Sequence, residues 1–489
     1  MNKKVYVTTS IPYVNAAPHI GFALELVQAD TLTRYYRELG EEVRFTTGSD
    51  DNALKNVLAA EAAGVPTEQF VAKHRESFRV LKTTLNLVVD DFISTREERH
   101  IRGAQKFWQA CAKDIYKKSY RGLYCGGCEE FKREVDLVDG KCLEHPQLTP
   151  EVIEEENYFF RLSNYAREIK NLLVSDELQI IPESRKHEML KFIETGLEDF
   201  SISRPVARAK GWGIPVPGDK DQVMYVWFDA LTNYVNALGY ANDDQLFQDY
   251  WKNSRLILHC LGKGILRFHG LYWPAMLISA GLRLPNQILV HGYVTSNGKK
   301  ISKSLGNVVH PSLVVEKYGV DALRYYLLRE IAPHEDGDYS EEKMRERYNG
   351  DLANGLGNFV ARVTALADKM PELRGLVSSA VSSEIDKVRA EVASAMRIFR
   401  FHEALAAIWK LIAFGDAYVN DQKPWDKTNS PQRKIEVIFD LISLLRAIVD
   451  LLQPFLPETA EKIRASLIWS SDKSAVRVSR VQNLFMRIL

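Results

Sequence analysis

Several things are scarce or missing in this chain of 489 residues. It has five cysteines, an odd number, and three of them crowd between positions 125 and 142, which suits a reduced cytosol with a metal site better than a disulfide framework. No run of about 18 apolar residues occurs, which excludes a helical membrane span. The start, Met1-Asn2-Lys3-Lys4, leads into alternating Val5 to Thr9 and lacks the apolar core of a signal peptide, so a cytosolic protein is expected. No low-complexity tract or internal repeat is visible. Net charge is also absent, with 64 basic and 64 acidic side chains. The balance is uneven, however: from Tyr250 to Val315, 66 residues, there is no Asp or Glu, while Lys252, Arg255, Lys263, Arg267, Arg283, Lys299, Lys300 and Lys303 give +8. The rest of the chain therefore carries −8, and the acid-free stretch is a candidate for handling an anion.

What is present reads as several domains of an ordinary globular protein, 46% apolar and 10% aromatic. Val5 to Thr9 predicts a strand, Leu24 to Leu39 a helix stopped by Gly40, and Val43 to Thr47 a second strand ending at Gly48-Ser49-Asp50. A matching unit follows much later: strand Leu256 to His259, a Gly262-Lys263-Gly264 turn, a helix through Phe268 to Ala280, and strand Ile288 to Val290. Together these predict an α/β Rossmann-type parallel sheet, with ligands beyond the carboxyl ends of its strands. The roughly 110 residues between the halves lack βα alternation and read as an insertion. From about Glu341 the pattern is helical almost throughout, including Leu405 to Val419 and Lys434 to Leu452, and slightly basic at +3. The expected divisions are 1–113 and 225–292 for the two sheet halves, 114–224 for the insertion, 293–345 for a connecting region carrying the lysine loop, and 346–489 for a helical bundle.

Three motifs carry chemistry. Gly298-Lys299-Lys300-Ile301-Ser302-Lys303-Ser304-Leu305-Gly306 is a flexible loop of lysines and hydroxyls, suited to wrapping a polyphosphate whose charge moves onto a leaving group. Pro18-His19-Ile20-Gly21 stands where a strand hands over to a helix, whose free N–H groups favour phosphate and whose His can donate to a phosphoryl oxygen. Cys125-x-x-Cys128 and Cys142-x-x-His145 have the spacing of a knuckle, about 122–148, closing a tetrahedral Cys₃His zinc site with a structural role. Cys111 and Cys260 read as apolar filler.

The pair His19-x-Gly21 and Lys300-x-x-Lys303 resembles the two signatures of class I aminoacyl-tRNA synthetases. Tyr13 to Gly21, the cysteine knuckle, Val226 to Leu231, Arg267-Phe268-His269, Trp273 to Met276, Asn358 to Arg362 and Lys423-Pro424-Trp425 resemble the bacterial methionyl-tRNA synthetases along essentially the whole chain. The resemblance implies a methionine–tRNA ligase that activates L-methionine with ATP and Mg²⁺ to the adenylate plus pyrophosphate. It then charges the 3′ end of tRNA(Met) for initiation and elongation. His19, Lys300 and Lys303 would be catalytic, and Pro18, Gly21, Gly262 and Ser302 would join them around ATP. Ile11, Tyr13, Asp50, Trp227, Ala230, Tyr234 and His269 would bind methionine, with Asp50 on its ammonium group. Trp227 and Tyr234, seven apart, would share a helical face in ordinary core packing too. Asn358, Arg362 and Trp425 would read the anticodon by base-edge contacts and stacking, in an all-α anticodon-binding domain. One structural Zn²⁺ and a monomer complete the expectation, with no membrane partner.

Three positions depart from the family pattern. Phe22 stands for a second signature His, Asp51-Asn52-Ala53 for Glu-His-Gly, and Gly264 for an Asp. All three concern the nucleotide, and Asn52 or Lys263 are candidate substitute donors. An insertion of about 110 residues leaves no room for the editing domain of branched-chain synthetases. A cysteine-specific enzyme would disperse its metal ligands along the sheet. A non-catalytic RNA-binding relative would have no need of His19 and Lys303.

Overall fold

A computed structural model describes residues 3–126, 130–132, 134, 137–143, 147–301 and 306–488. The chain divides into two compact units. One gathers Met1–Ala17, Gly40–Val80 and Val89–Val290, the other Pro18–Leu39, Leu81–Val88 and His291–Leu489.

The first unit is built on a six-stranded sheet in the order Asp91–Ser94, Glu42–Ser49, Lys4–Thr9, Leu256–Gly262, Gln287–His291, Gln179–Ile181. Lys4–Thr9 pairs in parallel with both Glu42–Ser49 and Leu256–Gly262, Glu42–Ser49 with Asp91–Ser94, and Gln287–His291 with Gln179–Ile181. Val5 to Thr9 and Leu256 to Leu261 are buried without alternation, as expected of parallel strands covered on both faces. The core beside them is aromatic: Phe107 stacks on Trp273 at 5.6 Å, and Trp251 and Phe228 are fully buried. Within the insertion, Ile115–Cys125 and Glu151–Phe160 form a long antiparallel ladder, flanked by Glu130–Lys132 and Phe200–Ser201. Strand Gln179–Ile181 returns from the insertion to the edge of the main sheet, a pairing that three residues give no pattern to foresee.

The second unit is mainly helical. It holds the helix Ile20–Glu38, a small sheet in which Val294–Ser296 pairs with Lys299–Lys300 and Gly337–Tyr339, and helices including Pro311–Tyr318, Val320–Arg329, Asn358–Ala367, Ser379–Arg397, Phe401–Gln422, Pro431–Leu452 and Pro457–Ala465. Apolar positions at three- and four-residue spacing, Leu405, Ile408, Leu411 and Ile412 against Leu441, Leu444, Leu445 and Ile448, are buried. The expectation of helix throughout needs correction at the end, where Leu373–Arg374, Ala475–Val478 and Leu467–Trp469 form an antiparallel sheet. A buried ion pair ties this unit together. Arg324, without exposure, lies 2.7 Å from Asp30 and donates to the carbonyls of Leu85, Pro454 and Phe455. Asp30 also takes Arg34 Nε at 2.7 Å and the Val88 N–H at 2.6 Å, so the charge is fully solvated by protein.

Candidate active site

In the first unit, the chain leaves strand Lys4–Thr9 through Ser10 to Tyr13 and leaves strand Glu42–Ser49 at Asp50. The Asp50 N–H donates to Pro12 O at 2.8 Å, and Tyr13 and Asp50 form an isolated parallel bridge, so the sheet is carried one step past its carboxyl edge. Here lies a pocket lined by Ser10, Ile11, Pro12, Tyr13, Asp50, Trp227, Ala230, Leu231, Asn233, Tyr234, Ile265 and His269, at the place where parallel sheets bind ligands. The structure thus gathers Ile11, Tyr13, Asp50, Trp227, Ala230, Tyr234 and His269 around one space. Sequence reasoning missed Ser10, Pro12, Leu231, Asn233 and Ile265, which adjoin the recognised residues and were legible only as their neighbours.

The walls are aromatic and fixed in place. Trp227 stacks on Phe268 with ring centres 3.8 Å apart and meets Tyr13 edge-on at 6.5 Å. Tyr234 stacks on His259 at 4.1 Å. His269 Nδ1 lies 2.9 Å from Ile265 O, which can only accept, so Nδ1 carries the proton and Nε2 accepts from the Tyr234 hydroxyl at 2.7 Å. Behind them Trp273 Nε1–H donates to His259 Nε2 at 3.3 Å, leaving His259 Nδ1–H for Thr8 Oγ1 at 2.7 Å. Burial holds His259 well below the usual imidazole range, in keeping with this neutral tautomer.

Around Asp50, the Asn52 N–H donates to Asp50 Oδ1 at 3.2 Å. Asp51 is turned away from the cavity's lining: its carboxylate meets Arg75 at 2.7 Å and Ser94 Oγ at 2.6 Å, and burial pushes its acidity down despite Arg75. The Asn52 amide gives its hydrogens to Asp229 Oδ2 at 3.1 Å and Thr95 O at 3.2 Å. Its expected service as a substitute nucleotide donor is therefore corrected, because the donor group is already committed inside the protein. Gly262 ends its strand, and Lys263 and Gly264 form the turn that follows.

In the second unit, His19 caps the helix Ile20–Glu38. Its Nδ1 accepts from the Gly21 N–H at 3.1 Å, which places the proton of a neutral ring on Nε2, an outward donor. His19 is exposed by surface area, and desolvation by the surrounding protein, and then His310, lower its pKa. Gly21 is required for this arrangement, since a Cβ there would stand 2.9 Å from His19 Cε1. Pro18 is buried, and its carbonyl lies 3.3 Å from His310 Nδ1. Lys300 is exposed on the strand Lys299–Lys300, whose turn is tethered by Asp338 accepting from Gly298 N and Thr295 Oγ1. Ser302 and Lys303 lie outside the described residues.

Elsewhere in that unit Asn358 is exposed at the start of the helix Asn358–Ala367. One turn on, the Arg362 guanidinium lies 5.2 Å from the ring of Trp425, which is half exposed. The three residues thus share a surface, to which the structure adds Asn420, accepting from Arg362 at 2.6 Å. In the insertion Cys125 is buried at the end of the long strand Ile115–Cys125 and Cys142 at the end of the two-residue strand Lys141–Cys142. Cys128 and His145 lie outside the described residues, among which no cluster of three His, Cys, Asp or Glu could hold a metal.

Known proteins match the chain along its length. Residues 5–149 and 134–364 match the family described as tRNA synthetases class I (M), and residues 379–479 the anticodon-binding domain of tRNA ligase. The methionine–tRNA ligase of Brucella suis is 40% identical over 484 residues, 96% of this chain and 93% of its own. That of Thermotoga maritima is 39% identical over 474 residues, 94% of this chain and 74% of its own. Among solved structures, Mycobacterium tuberculosis methionyl-tRNA synthetase in complex with methionyl-adenylate superposes with a TM-score of 0.91 at 37% identity, covering 96% of this chain and 95% of that one.

Proposed function

The chain belongs to the methionyl branch of the class I tRNA synthetases, and from that premise we propose how its own residues perform methionine–tRNA ligation. The observation that carries the reading is the cavity past the sheet's carboxyl edge, apolar and aromatic on most sides with one carboxylate, Asp50. A flexible thioether fits surfaces such as Trp227, Tyr13 and Ile11, where sulfur–aromatic contact adds about 0.3–1.5 kcal/mol. Tyr234 and His269, bonded to each other, close the far wall, Ala230 leaves room for the chain, and Asp50 receives the α-ammonium group.

With the amino group held, the substrate carboxylate attacks the α-phosphorus of ATP. The acyl–phosphate bond forms, the bond to the β-phosphate bridging oxygen breaks, and pyrophosphate leaves. His19 Nε2–H, the helix N-terminus beside Gly21 and the ammonium groups of Lys300 and Lys303 stabilise the charge that develops there, with Ser302, Pro18 and Gly262 shaping the nucleotide site. Mg²⁺ bound with ATP would supply charge neutralisation at the phosphate oxygens. A hydroxyl of the tRNA's terminal adenosine then attacks the carbonyl, and AMP departs.

Anticodon reading falls to Asn358, Arg362 and Trp425, with Arg362 oriented by Asn420. The knuckle is read as a zinc site: the buried thiols of Cys125 and Cys142 and the two-residue strands Leu137–Val138 and Lys141–Cys142 suit a metal that replaces a core, with Cys125, Cys128, Cys142 and His145 as ligands. The divisions 1–113, 114–224, 225–292, 293–345 and 346–489, a monomeric state and a cytosolic location belong to the same reading. ATP–pyrophosphate exchange with each amino acid tests it: exchange with methionine is expected, and its absence sinks the reading.

A further inference from the structure

One buried group beside the cavity has no part in the steps above. Asp229 sits on the short helix Val226–Leu231, whose Trp227, Ala230 and Leu231 line the cavity, but is itself wholly buried on the other side. Its Oδ2 accepts from Asn52 Nδ2 at 3.1 Å, and the Asn52 backbone N–H donates to Asp50 Oδ1 at 3.2 Å. Two bonds thus join the wall that would grip the side chain to the carboxylate that would hold the ammonium group. The remaining oxygens of both groups, Asp229 Oδ1 and Asn52 Oδ1, are buried without a hydrogen-bond partner.

A charged Asp229 would leave two buried acceptors unsatisfied, which costs free energy at each. Protonated, Asp229 keeps the bond from Asn52 on Oδ2 and removes the bare charge on Oδ1. Complete burial favours that neutral form; of the nearby charges, Arg96 opposes it and Asp51, itself paired with Arg75, supports it.

We propose that Asp229 is a positioning residue for methionine recognition, clamping the Asn52 amide and through it fixing the Asp50 carboxylate in the cavity wall. The proposal rests on the reading of the cavity as the methionine site. Asn52 stands where the family pattern has a His, so this turn is held without a titrating imidazole.

The test is methionine-dependent ATP–pyrophosphate exchange by the full chain, with KM for methionine and for ATP measured separately. Asp229→Leu raises KM for methionine about 10-fold, as expected for a buried amide left unpaired, with KM for ATP changed less than about 2-fold. Asp229→Asn, whose amide can both accept from Asn52 Nδ2 and donate to Asn52 Oδ1, brings KM for methionine back to within about 3-fold of the parent. Should Asp229→Leu not fold, Asn52→Ser removes the clamp from the other side with the same expected split. Equal losses for both substrates, or no rescue by Asp229→Asn, overturn the proposal. A parent enzyme without methionine exchange removes the functional reading and the clamp with it, whereas normal exchange with an unaffected Asp229→Leu removes the clamp alone.

Discussion

Replacing Arg324 with Met tests how the second unit is held together. The guanidinium has no exposure and makes four contacts: Asp30 at 2.7 Å, Phe455 O at 2.9 Å, Pro454 O at 3.1 Å and Leu85 O at 3.2 Å. Methionine fills much of the volume but donates to none of them. Breaking a buried pair from one side costs about 3–5 kcal/mol, because the partner charge stays behind. Asp30 is not wholly abandoned, since Arg34 and the Val88 N–H remain on it, so the lower end, about 3 kcal/mol, is expected. For a unit of this size that corresponds to a fall in Tm of about 6–12 °C, read by circular dichroism at matched scan rates. Asp30→Asn combined with Arg324→Met should cost at least about 1 kcal/mol less than the two singles added. A fall below about 2 °C, or strict additivity, would refute the view that this pair is the unit's tie point.

Tyr234→Phe removes the donor on His269 Nε2 and should raise KM for methionine by about 2- to 10-fold with KM for ATP steady; unchanged methionine kinetics would place the hydroxyl outside recognition. Trp425→Ala should raise KM for tRNA by about 5- to 100-fold, the worth of one stacked base, and an equal loss in tRNA-independent exchange would make Trp425 structural. Acid should destabilise the first unit through its neutral histidines. Burial holds His100 at about 3 and His259 well below the ordinary imidazole value of about 6.5, so below pH 6.5 the unfolded chain binds protons that the folded one refuses. Stability is then full above 6.5 and falls by about 1.4 kcal/mol per pH unit for each ring as pH drops; a His100→Asn variant with an undiminished slope of Tm against pH would contradict this. Cys125→Ala should lower zinc content, measured by elemental analysis, and raise the susceptibility of residues 122–148 to proteolysis.

The sequence carried the cavity well for a specific reason. Its residues sit in strand ends and short helices that follow recognisable strands, and the resemblance supplied their roles. The argument that Trp227 and Tyr234 share one helical face reached a true neighbourhood by a different path, since the helix breaks after Leu231 and the two come from Val226–Leu231 and Asn233–Asn236. What was not legible lacks period or sign. Gln179–Ile181 and Leu373–Arg374 are too short for alternation, and their pairing is decided by distant partners. Asp229 looked like one more acid in a matching stretch, and only its burial against Asn52 separates it from the solvated ones. Asn52 was read as free to serve a nucleotide, because no pattern of residues reports that a side-chain amide is already engaged.

The interleaving of the two units has a consequence for biosynthesis. The chain passes between them at residues 17, 39, 80, 88 and 290, so neither unit leaves the ribosome as one contiguous piece. Asp30 emerges 294 residues before Arg324, a wait of about 15–60 s at ordinary elongation rates. Throughout that interval the helix Ile20–Glu38, almost entirely buried from Ala23 to Thr33 in the finished fold, stands without its later partners. Translation speed between these two codons should therefore affect how much of the nascent chain arrives folded.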